Sequence, residues 1–262
     1  EPVVVGDAPL LWGVDGVSPD WAGRPARIRG STLLLGEEAE AGATQYEAVR
    51  RAVLATARRM RADGLVRLSE GNVSCRIPGT ALFAVTPSGM PYDRLEPADI
   101  CILDLDGRVV DARRRPSSET PLHRLTYLRR PDVGAVVHTH SLHASAFACT
   151  GQELPVISTE LAALVGDTIR CAPYAPSGTE AFAEVALDTL GDEGVAVLFQ
   201  NHGAMTVGET LDRAYAAAVM LEEAAQILIL SRLVGEPIIL PAEERRRIFL
   251  SRRRAYGQSR EA

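Results

Sequence analysis

Three histidines in two short motifs are the residues of this sequence best suited to chemistry. His138 and His140 stand two positions apart at the end of the apolar run over residues 133–137, and His202 follows a second apolar run. Residues two apart on a strand face the same side, about 6.5 Å apart along it, so both imidazoles can reach one ion. Glu119 lies upstream and offers an acidic partner. The pattern indicates a three-histidine metal site with a carboxylate nearby.

A second chemical signal is the absence of lysine. All 28 basic residues of the chain are arginine. Schiff-base formation, covalent attachment of pyridoxal phosphate and Walker-type phosphate binding all need a lysine amine. If the protein acts on carbonyl compounds, we therefore expect its electrophile to be a metal.

Length, composition and charge narrow the class of protein. With 262 residues, 46% of them hydrophobic, the chain can bury an ample core. Its formal net charge of -6 argues against a nucleic-acid partner, which would need clustered positive charge. The sequence contains no run of about 18 apolar residues and no signal-peptide pattern. We expect a cytoplasmic protein without a membrane segment.

The elements that must position these residues begin near residue 44. Residues 1–43 are rich in glycine, proline and aspartate and lack sustained periodicity, which favours irregular structure. We predict a partly ordered N-terminal extension over residues 1–43 and a catalytic domain with a C-terminal tail over residues 44–262.

Strand and helix patterns alternate along the predicted domain. We predict helices at 46–62, 119–130, 143–149, 158–164, 181–190, 209–234 and 242–254. The predicted strands are 81–86, 100–105, 108–111, 133–138, 168–172, 195–199 and 204–207. Residues 69–74 are predicted to form a polar turn. His123 and His143 match no ligand position, and we predict ordinary structural roles for both.

Seven stretches together carry a resemblance to a known family. In order, they are Gly71-Asn72-Val73-Ser74, Thr86-Pro87-Ser88-Gly89-Met90-Pro91-Tyr92, Pro116-Ser117-Ser118-Glu119, His138-Thr139-His140, Cys171-Ala172-Pro173-Tyr174, Asn201-His202-Gly203 and Tyr256-Gly257. The sequence resembles the class II aldolase/adducin family over roughly residues 45–258, and most closely its L-fuculose-1-phosphate aldolase branch. The resemblance implies a three-layer α/β/α fold with a central, largely antiparallel or mixed sheet covered by helices.

The resemblance also assigns roles to the metal site. It implies that His138, His140 and His202 hold a divalent ion, with Zn²⁺ expected. Glu119 would coordinate that ion in the empty enzyme and act as general acid and base once substrate binds. Tyr256 would reach the site from the tail of a neighbouring subunit and protonate the departing aldehyde oxygen, which implies a homotetramer with active sites at subunit interfaces.

A phosphate site is implied by the same resemblance. The matching positions are Ser69, Gly71, Asn72, Ser88, Gly89, Ser117 and Ser118. Hydroxyls, an amide and glycine-exposed backbone NH groups can surround a phosphate without a lysine. Two positions depart from the family pattern: Thr159 stands where the branch has a second tyrosine, and Glu70 is acidic where a small hydroxyl residue is usual.

The function expected from the resemblance is metal-dependent cleavage of a small ketose 1-phosphate, L-fuculose-1-phosphate-like or a deoxypentulose phosphate, into dihydroxyacetone phosphate and an aldehyde. Two other readings stay open. One is a metal-dependent decarboxylase, dehydratase or pentulose-phosphate 4-epimerase on the same fold, and the other is a non-catalytic adducin-like module. The sequence leaves the identity of the aldehyde open.

Overall fold

The fold is built on one large central sheet. The computed structural model describes residues 3–4, 26–29, 32–35 and 46–255. The strands, in chain order, are β1 (Val3–Val4), β2 (Ala26–Arg29), β3 (Thr32–Leu35), β4 (Asn72–Arg76), β5 (Leu82–Val85), β6 (Cys101–Asp104), β7 (Val109–Asp111), β8 (Ala135–Thr139), β9 (Cys171–Ala172), β10 (Ala196–Phe199) and β11 (Gly203–Gly208). The helices are α1 (Glu47–Ala62), α2 (Thr120–Arg129), α3 (Leu142–Thr150), α4 (Thr159–Val165), α5 (Glu180–Leu190), α6 (Leu211–Val234) and α7 (Ala242–Ala255).

The central sheet has eight strands in the order β7-β6-β5-β4-β8-β11-β10-β9. Its strand pairs are antiparallel except for β9 and β10, which run parallel. The short strands β1, β3 and β2 form a separate antiparallel sheet. A mixed sheet that is mostly antiparallel is what the family resemblance predicted.

Helices cover both faces of the central sheet. On one face, α2 and α5 pack against the sheet through Tyr127 and Phe182, and Val136 belongs to the same cluster. On the other face, α1 and α6 pack near Val137, and α3 packs beside Leu198. Consecutive residues of β8 thus enter different apolar layers. This explains why residues 133–137 form a continuous apolar run.

One predicted element was wrong. Residues 69–74 were expected to form a polar turn, but Asn72–Arg76 is the central strand β4, hydrogen-bonded between β5 and β8. Val73 faces the α1 layer, while Asn72 and Ser74 alternate with it and are also buried. Buried polar side chains of this kind must be hydrogen-bonded, and both are, as described below. The polar residues of β4 therefore lie in a buried strand, whereas the prediction had placed them in a turn.

Several sequence predictions fall at the margins of the described chain. None of the helices between residues 46 and 255 combines the length and apolarity that a membrane crossing needs. Most of the predicted extension over residues 1–43, and Tyr256 in the tail, lie outside the described residues. The division at residue 43 stays a prediction.

Candidate metal centre

Strand register brings the three histidines together at one end of the central sheet. His138 lies in β8 opposite Asn72 of β4 and Met205 of β11, and His140 follows directly after the strand. His202 lies in the turn before β11. One ligand atom from each of the three imidazoles can be chosen so that all lie within 4.8 Å of one another. Within the described part of the chain, this is the one cluster of its kind.

The turn that carries His202 has an unusual backbone. Asn201 adopts φ +59, a left-handed conformation that asparagine tolerates better than most residues. The backbone NH of Asn201 donates to the carbonyl of Ala148 at 3.2 Å, and that of His202 donates to Phe199 at 3.0 Å. These bonds fix the turn against α3 and β10, so that the imidazole of His202 faces His138.

Two glycines allow this close approach. A Cβ at Gly203 would lie 2.3 Å from the carbonyl oxygen of Thr139 and 3.3 Å from ring atoms of both His138 and His140. A Cβ at Gly71, whose φ is +66, would lie 2.6 Å from the carbonyl oxygen of His138. Only glycine fits at such contacts, and both motifs flanking β8 contain one for this reason.

Hydrogen bonds orient the His138 ring. Its Nδ1 lies 2.9 Å from the carbonyl oxygen of Ala204, and a carbonyl can only accept, so Nδ1 carries the hydrogen when the ring is neutral. Nε2 of His138 then presents its lone pair, and it lies 2.9 Å from Nε2 of His140. A partner on the second ring nitrogen that fixes the tautomer is typical of a metal-bound histidine.

Glu119 completes the group. Its Oε2 lies 2.8 Å from Nδ2 of Asn72 and 3.0 Å from Nε2 of His138, and its Oε1 lies 3.4 Å from Nε2 of His202. Oε1 is buried and has no hydrogen-bond partner among the described residues. Three imidazoles and an unsatisfied buried carboxylate oxygen suit a divalent ion, so the residues fit the metal expected from the sequence.

Burial and mutual charge keep most of these groups in the form that binds metal. Burial, together with the positive charge that His138 and His202 would carry, lowers the pKa of His140 to about 3. Burial and His138 lower the pKa of His202 to about 4. Burial by itself would raise the pKa of Glu119, but His138, His202 and the Asn72 amide hold it well below its usual range. At neutral pH His140 and His202 are thus neutral beside the Glu119 carboxylate, whereas at His138 the carboxylate outweighs the effect of burial and raises the pKa.

The candidate phosphate turns meet at the same end of the sheet. The backbone of Thr86 links them, because its NH donates to the carbonyl of Val73 at 3.1 Å and its carbonyl accepts from Ser117 at 3.1 Å. The NH of Ser88 donates to Arg115 at 2.9 Å. This brings together the three segments that contain the predicted positions, which are Ser69, Gly71 and Asn72, then Ser88 and Gly89, then Ser117 and Ser118.

The predicted phosphate residues differ in their exposure to solvent and in whether their side chains already have hydrogen-bond partners. Ser69, Gly89 and Ser118 are exposed, and Ser117 is buried. The Ser117 hydroxyl accepts from the backbone NH of Glu119 at 3.2 Å, so it helps to hold the carboxylate in place. The Asn72 amide contacts Glu119 on one side and His123 on the other. Asn72 is therefore engaged with the carboxylate, in addition to its predicted place near the phosphate.

The two departures from the family pattern lie on the surface. Thr159 is the first residue of α4 and is exposed, next to Ser158, which caps that helix by accepting from the NH of Leu161 at 3.2 Å. Glu70 is exposed beside Gly71. Tyr256 lies outside the described residues.

The two remaining histidines have different surroundings. His143 is half-buried at the start of α3, where its Nδ1 lies 2.7 Å from Oε1 of Glu222 on α6. His123 is fully buried, and its ring contacts Ser74 and Asn72. Sequence reasoning set His123 aside because it matches no ligand position. Its place four residues after Glu119, one helical turn along α2, was the signal that could have linked it to the site.

Comparison with known proteins agrees with this geometry. Residues 51–229 match the family described as Class II Aldolase and Adducin N-terminal domain. The chain belongs to this family. A class II relative, the 5-deoxy-D-ribulose 1-phosphate aldolase of Bacillus thuringiensis serovar kurstaki, is 37% identical over 209 residues, which cover 80% of this chain and 97% of that protein.

Two further class II relatives show the range of the family. A solved structure of L-fuculose 1-phosphate aldolase has a TM-score of 0.75 and 31% identity, and the match covers 78% of this chain and 95% of that one. An L-ribulose-5-phosphate 4-epimerase of Salmonella paratyphi B is 34% identical over 192 residues, which cover 69% of this chain and 83% of the epimerase. The family resemblance and the α/β fold predicted from it are confirmed. Class II aldolases depend on a divalent metal, and the three imidazoles fit one.

Proposed function

We propose that this protein is a metal-dependent aldolase that cleaves a small ketose 1-phosphate, L-fuculose-1-phosphate-like or a deoxypentulose phosphate, into dihydroxyacetone phosphate and an aldehyde. The proposal depends above all on the convergence of His138, His140 and His202 beside the Glu119 carboxylate, in a member of the class II aldolase family. A divalent ion held there, for which we propose Zn²⁺, would act as a Lewis acid on the carbonyl and hydroxyl oxygens of the ketose.

Glu119 is the residue we assign to proton transfer. Its Oε1 is buried, lies 3.4 Å from Nε2 of His202 and has no hydrogen-bond partner among the described residues, so it is the carboxylate atom placed to accept and return a proton. In the cleavage direction, the carbon released when the carbon-carbon bond breaks must gain a proton. Glu119 would supply it.

The three turns linked through Thr86 are the proposed phosphate site. Ser69, Ser88 and Ser118 offer hydroxyls, and Gly71 and Gly89 expose backbone NH groups at positive φ values of 66 and 68. A concave set of backbone NH groups and hydroxyls binds a phosphate dianion without a charged side chain. Glu70 lies beside this site, so recognition would rely on hydrogen bonds more than on net positive charge.

Tyr256 and the quaternary structure belong to the same proposal. In the cleavage direction the substrate hydroxyl that becomes the aldehyde oxygen must lose its proton, and Tyr256 would take it; in the reverse direction Tyr256 would return it. In the proposed homotetramer this tyrosine would come from a neighbouring subunit. A cluster of exposed apolar residues supports a subunit interface: Leu233 is 79% exposed, Val234 90% and Ile238 88%. Light scattering of the purified protein would test for four copies. The cytoplasmic location stays a prediction.

Epimerisation is the second candidate, because one relative at 34% identity carries an epimerase name. A 4-epimerase would use the same histidines and would rejoin the two fragments after they separate. Its product is therefore a pentulose phosphate of inverted configuration, and no aldehyde leaves the enzyme. A decarboxylase or dehydratase would be recognised by loss of carbon dioxide or water.

The deciding experiment follows products by NMR. The protein is stripped with a chelator, reloaded with Zn²⁺, and incubated with L-fuculose 1-phosphate, 5-deoxyribulose 1-phosphate and L-ribulose 5-phosphate in turn. We expect dihydroxyacetone phosphate and an aldehyde from one of the first two, only after reloading. Cleavage that survives chelation would refute the role of the metal. A chain that binds no divalent ion would instead favour the non-catalytic adducin-like reading.

A further inference from the structure

A chain of four hydrogen bonds runs from the core of the protein to Glu119. Oη of Tyr127 lies 2.6 Å from Oγ of Ser74, which lies 2.6 Å from Nδ1 of His123. Nε2 of His123 contacts Oδ1 of Asn72, and Nδ2 of Asn72 lies 2.8 Å from Oε2 of Glu119. The other four members of this hydrogen-bond network are between 0% and 5% exposed; they are Tyr127, Ser74, His123 and Asn72.

The orientation of the Asn72 amide determines the direction of every hydrogen bond in this network. Nδ2 of Asn72 is the amide atom beside Oε2 of Glu119, so the NH₂ group donates to the carboxylate and the amide oxygen faces His123. That oxygen only accepts, so Nε2 of His123 must carry a hydrogen. The opposite amide orientation would place two oxygens against each other beside a buried negative charge.

His123 is neutral, and its other ring nitrogen, Nδ1, accepts a hydrogen bond. Burial lowers the pKa of His123 to about 3, so its ring has one hydrogen at neutral pH. With that hydrogen on Nε2, Nδ1 accepts from the Ser74 hydroxyl, and Ser74 in turn accepts from the Tyr127 hydroxyl. Tyr127, Ser74 and His123 each donate one hydrogen, and the acceptor atoms of Ser74, His123 and Asn72 each receive one. Such pairing is what a buried polar network requires.

We propose that His123 is a positioning residue: its Nε2–H tautomer fixes the orientation of the Asn72 amide, which holds Oε2 of Glu119 beside His138 and leaves Oε1, beside His202, for proton transfer. The kinetic part of this inference rests on the proposed function, whereas the tautomer and the amide orientation do not. Asn72 donates to one carboxylate oxygen only, and Oε1 has no hydrogen-bond partner among the described residues. The two oxygens of Glu119 therefore have different tasks.

The tautomer can be measured without any substrate. Proton-nitrogen correlation spectra of the Zn²⁺-loaded protein, labelled with ¹⁵N-histidine, report which ring nitrogen carries the hydrogen. The His123→Gln variant assigns the His123 signals by their disappearance. We expect a hydrogen on Nε2 and a bare Nδ1. A hydrogen on Nδ1 would overturn the proposal, whatever the activity of the protein.

Two variants with the same chemical groups test the positioning role. In His123→Gln, the amide reaches as far as Nε2 and can still donate to Asn72. In His123→Asn, the amide is one carbon shorter, so it can accept from Ser74 but cannot reach Asn72. We expect kcat of the Gln variant within about threefold of the unchanged protein and kcat of the Asn variant lower by about tenfold or more, the range for loss of an outer-shell partner.

Three measurements distinguish a positioning role of His123 from a general loss of folded structure in the variants. They are the zinc content, KM and the ratio of the two kcat values. Both variants should bind Zn²⁺ stoichiometrically and keep KM within about threefold of the unchanged protein. His123 contacts no histidine of the cluster, and the one predicted phosphate position that it contacts is Asn72, whose amide is engaged with Glu119. Equal losses of kcat in both variants, or full activity in both, would contradict the proposal. Absence of any aldolase activity would refute the proposed function together with the kinetic half of this inference, while the spectra would still decide the tautomer.

Discussion

The histidine cluster and the candidate phosphate turns lie at the same end of the sheet, but they are built differently. The cluster consists of side chains held by strand register and by buried hydrogen bonds, and His138 is completely buried. The turns are exposed at Ser69, Gly89 and Ser118 and offer hydroxyls and backbone NH groups. The cluster is preorganised and intolerant of change, whereas the turns can vary in composition as long as their backbone geometry is kept. Changes in the cluster should therefore abolish chemistry, and changes in the turns should weaken substrate binding.

The largest effect should follow from removing a histidine of the cluster. His138→Ala deletes one of three imidazoles and leaves a buried space, so we expect Zn²⁺ affinity to fall by more than about 100-fold, the upper range for loss of an outer-shell partner. Cleavage should fall to background. Metal analysis after gel filtration measures this. His143→Ala is the matched control and should keep its metal, because His143 lies outside the cluster.

Replacing the carboxylate should separate metal binding from chemistry. Glu119→Gln keeps the size of the side chain and removes the group that exchanges a proton. We expect kcat to fall about 10²- to 10⁴-fold, while Zn²⁺ stays bound through the three imidazoles. Stopped assays with reloaded protein give kcat, and metal analysis of the same samples gives occupancy. Full activity of this variant would remove Glu119 from the mechanism.

The third effect tests the close approach of backbone that the cluster requires. In Gly203→Ala the new methyl group would lie 2.3 Å from the carbonyl oxygen of Thr139, so the turn must shift. We expect the free energy of unfolding to fall by about 1–3 kcal/mol and Zn²⁺ affinity to fall with it. Urea unfolding measures the first quantity. Gly235→Ala, whose methyl group would meet nothing within 4 Å, should leave both unchanged.

The fourth test is the pH dependence of the free energy of unfolding, which reports on the burial of neutral His123. The pKa of His123 is lowered to about 3 in the folded protein, against about 6.5 in an unfolded chain. The unfolded chain therefore binds more protons between these values, and folded-state stability falls as pH drops below 6.5. Relative to the metal-free His123→Gln variant, the metal-free unchanged protein should lose on the order of 2 kcal/mol between pH 7 and pH 5. Urea titrations at both pH values check this, and a constant difference would mean that His123 is not buried in its neutral form.

The smallest effect should come from the turns. Ser118→Ala removes one hydroxyl near the proposed phosphate, and a hydrogen bond to a charged group contributes about 1.5–3 kcal/mol. We expect KM for a ketose 1-phosphate to rise about tenfold, with kcat nearly unchanged. The same ketose without its phosphate serves as the control substrate, since its KM should not respond. An equal rise for both substrates would argue that Ser118 has no contact with the phosphate.

Much of the fold followed from sequence patterns. The helix ending before Asp63 and Gly64, and the hairpin of β6 and β7 around Asp106-Gly107, lie close to where periodicity and turn chemistry predicted them. The continuous apolar run before His138 predicted a strand buried on both faces, and β8 is one. Strand β4 escaped prediction, because Asn72 and Ser74 alternate with apolar residues but are polar. Local pattern cannot distinguish a polar residue that faces solvent from one that is buried and hydrogen-bonded.

The sequence by itself determined that the chain carries a histidine pair at a strand end and a third histidine in a turn beside a glycine. It also showed that the chain has no lysine that could form a Schiff base with a carbonyl substrate. Those residue types and spacings limited the chemistry to a metal centre, and the family resemblance narrowed it further. The family resemblance placed Glu119 at the metal ion, but only the tertiary structure decided that His123 reaches this carboxylate through Asn72. The reason is physical: strand spacing fixes which residues share a face, whereas the partner of a buried polar atom is decided by which other strand or helix packs against it.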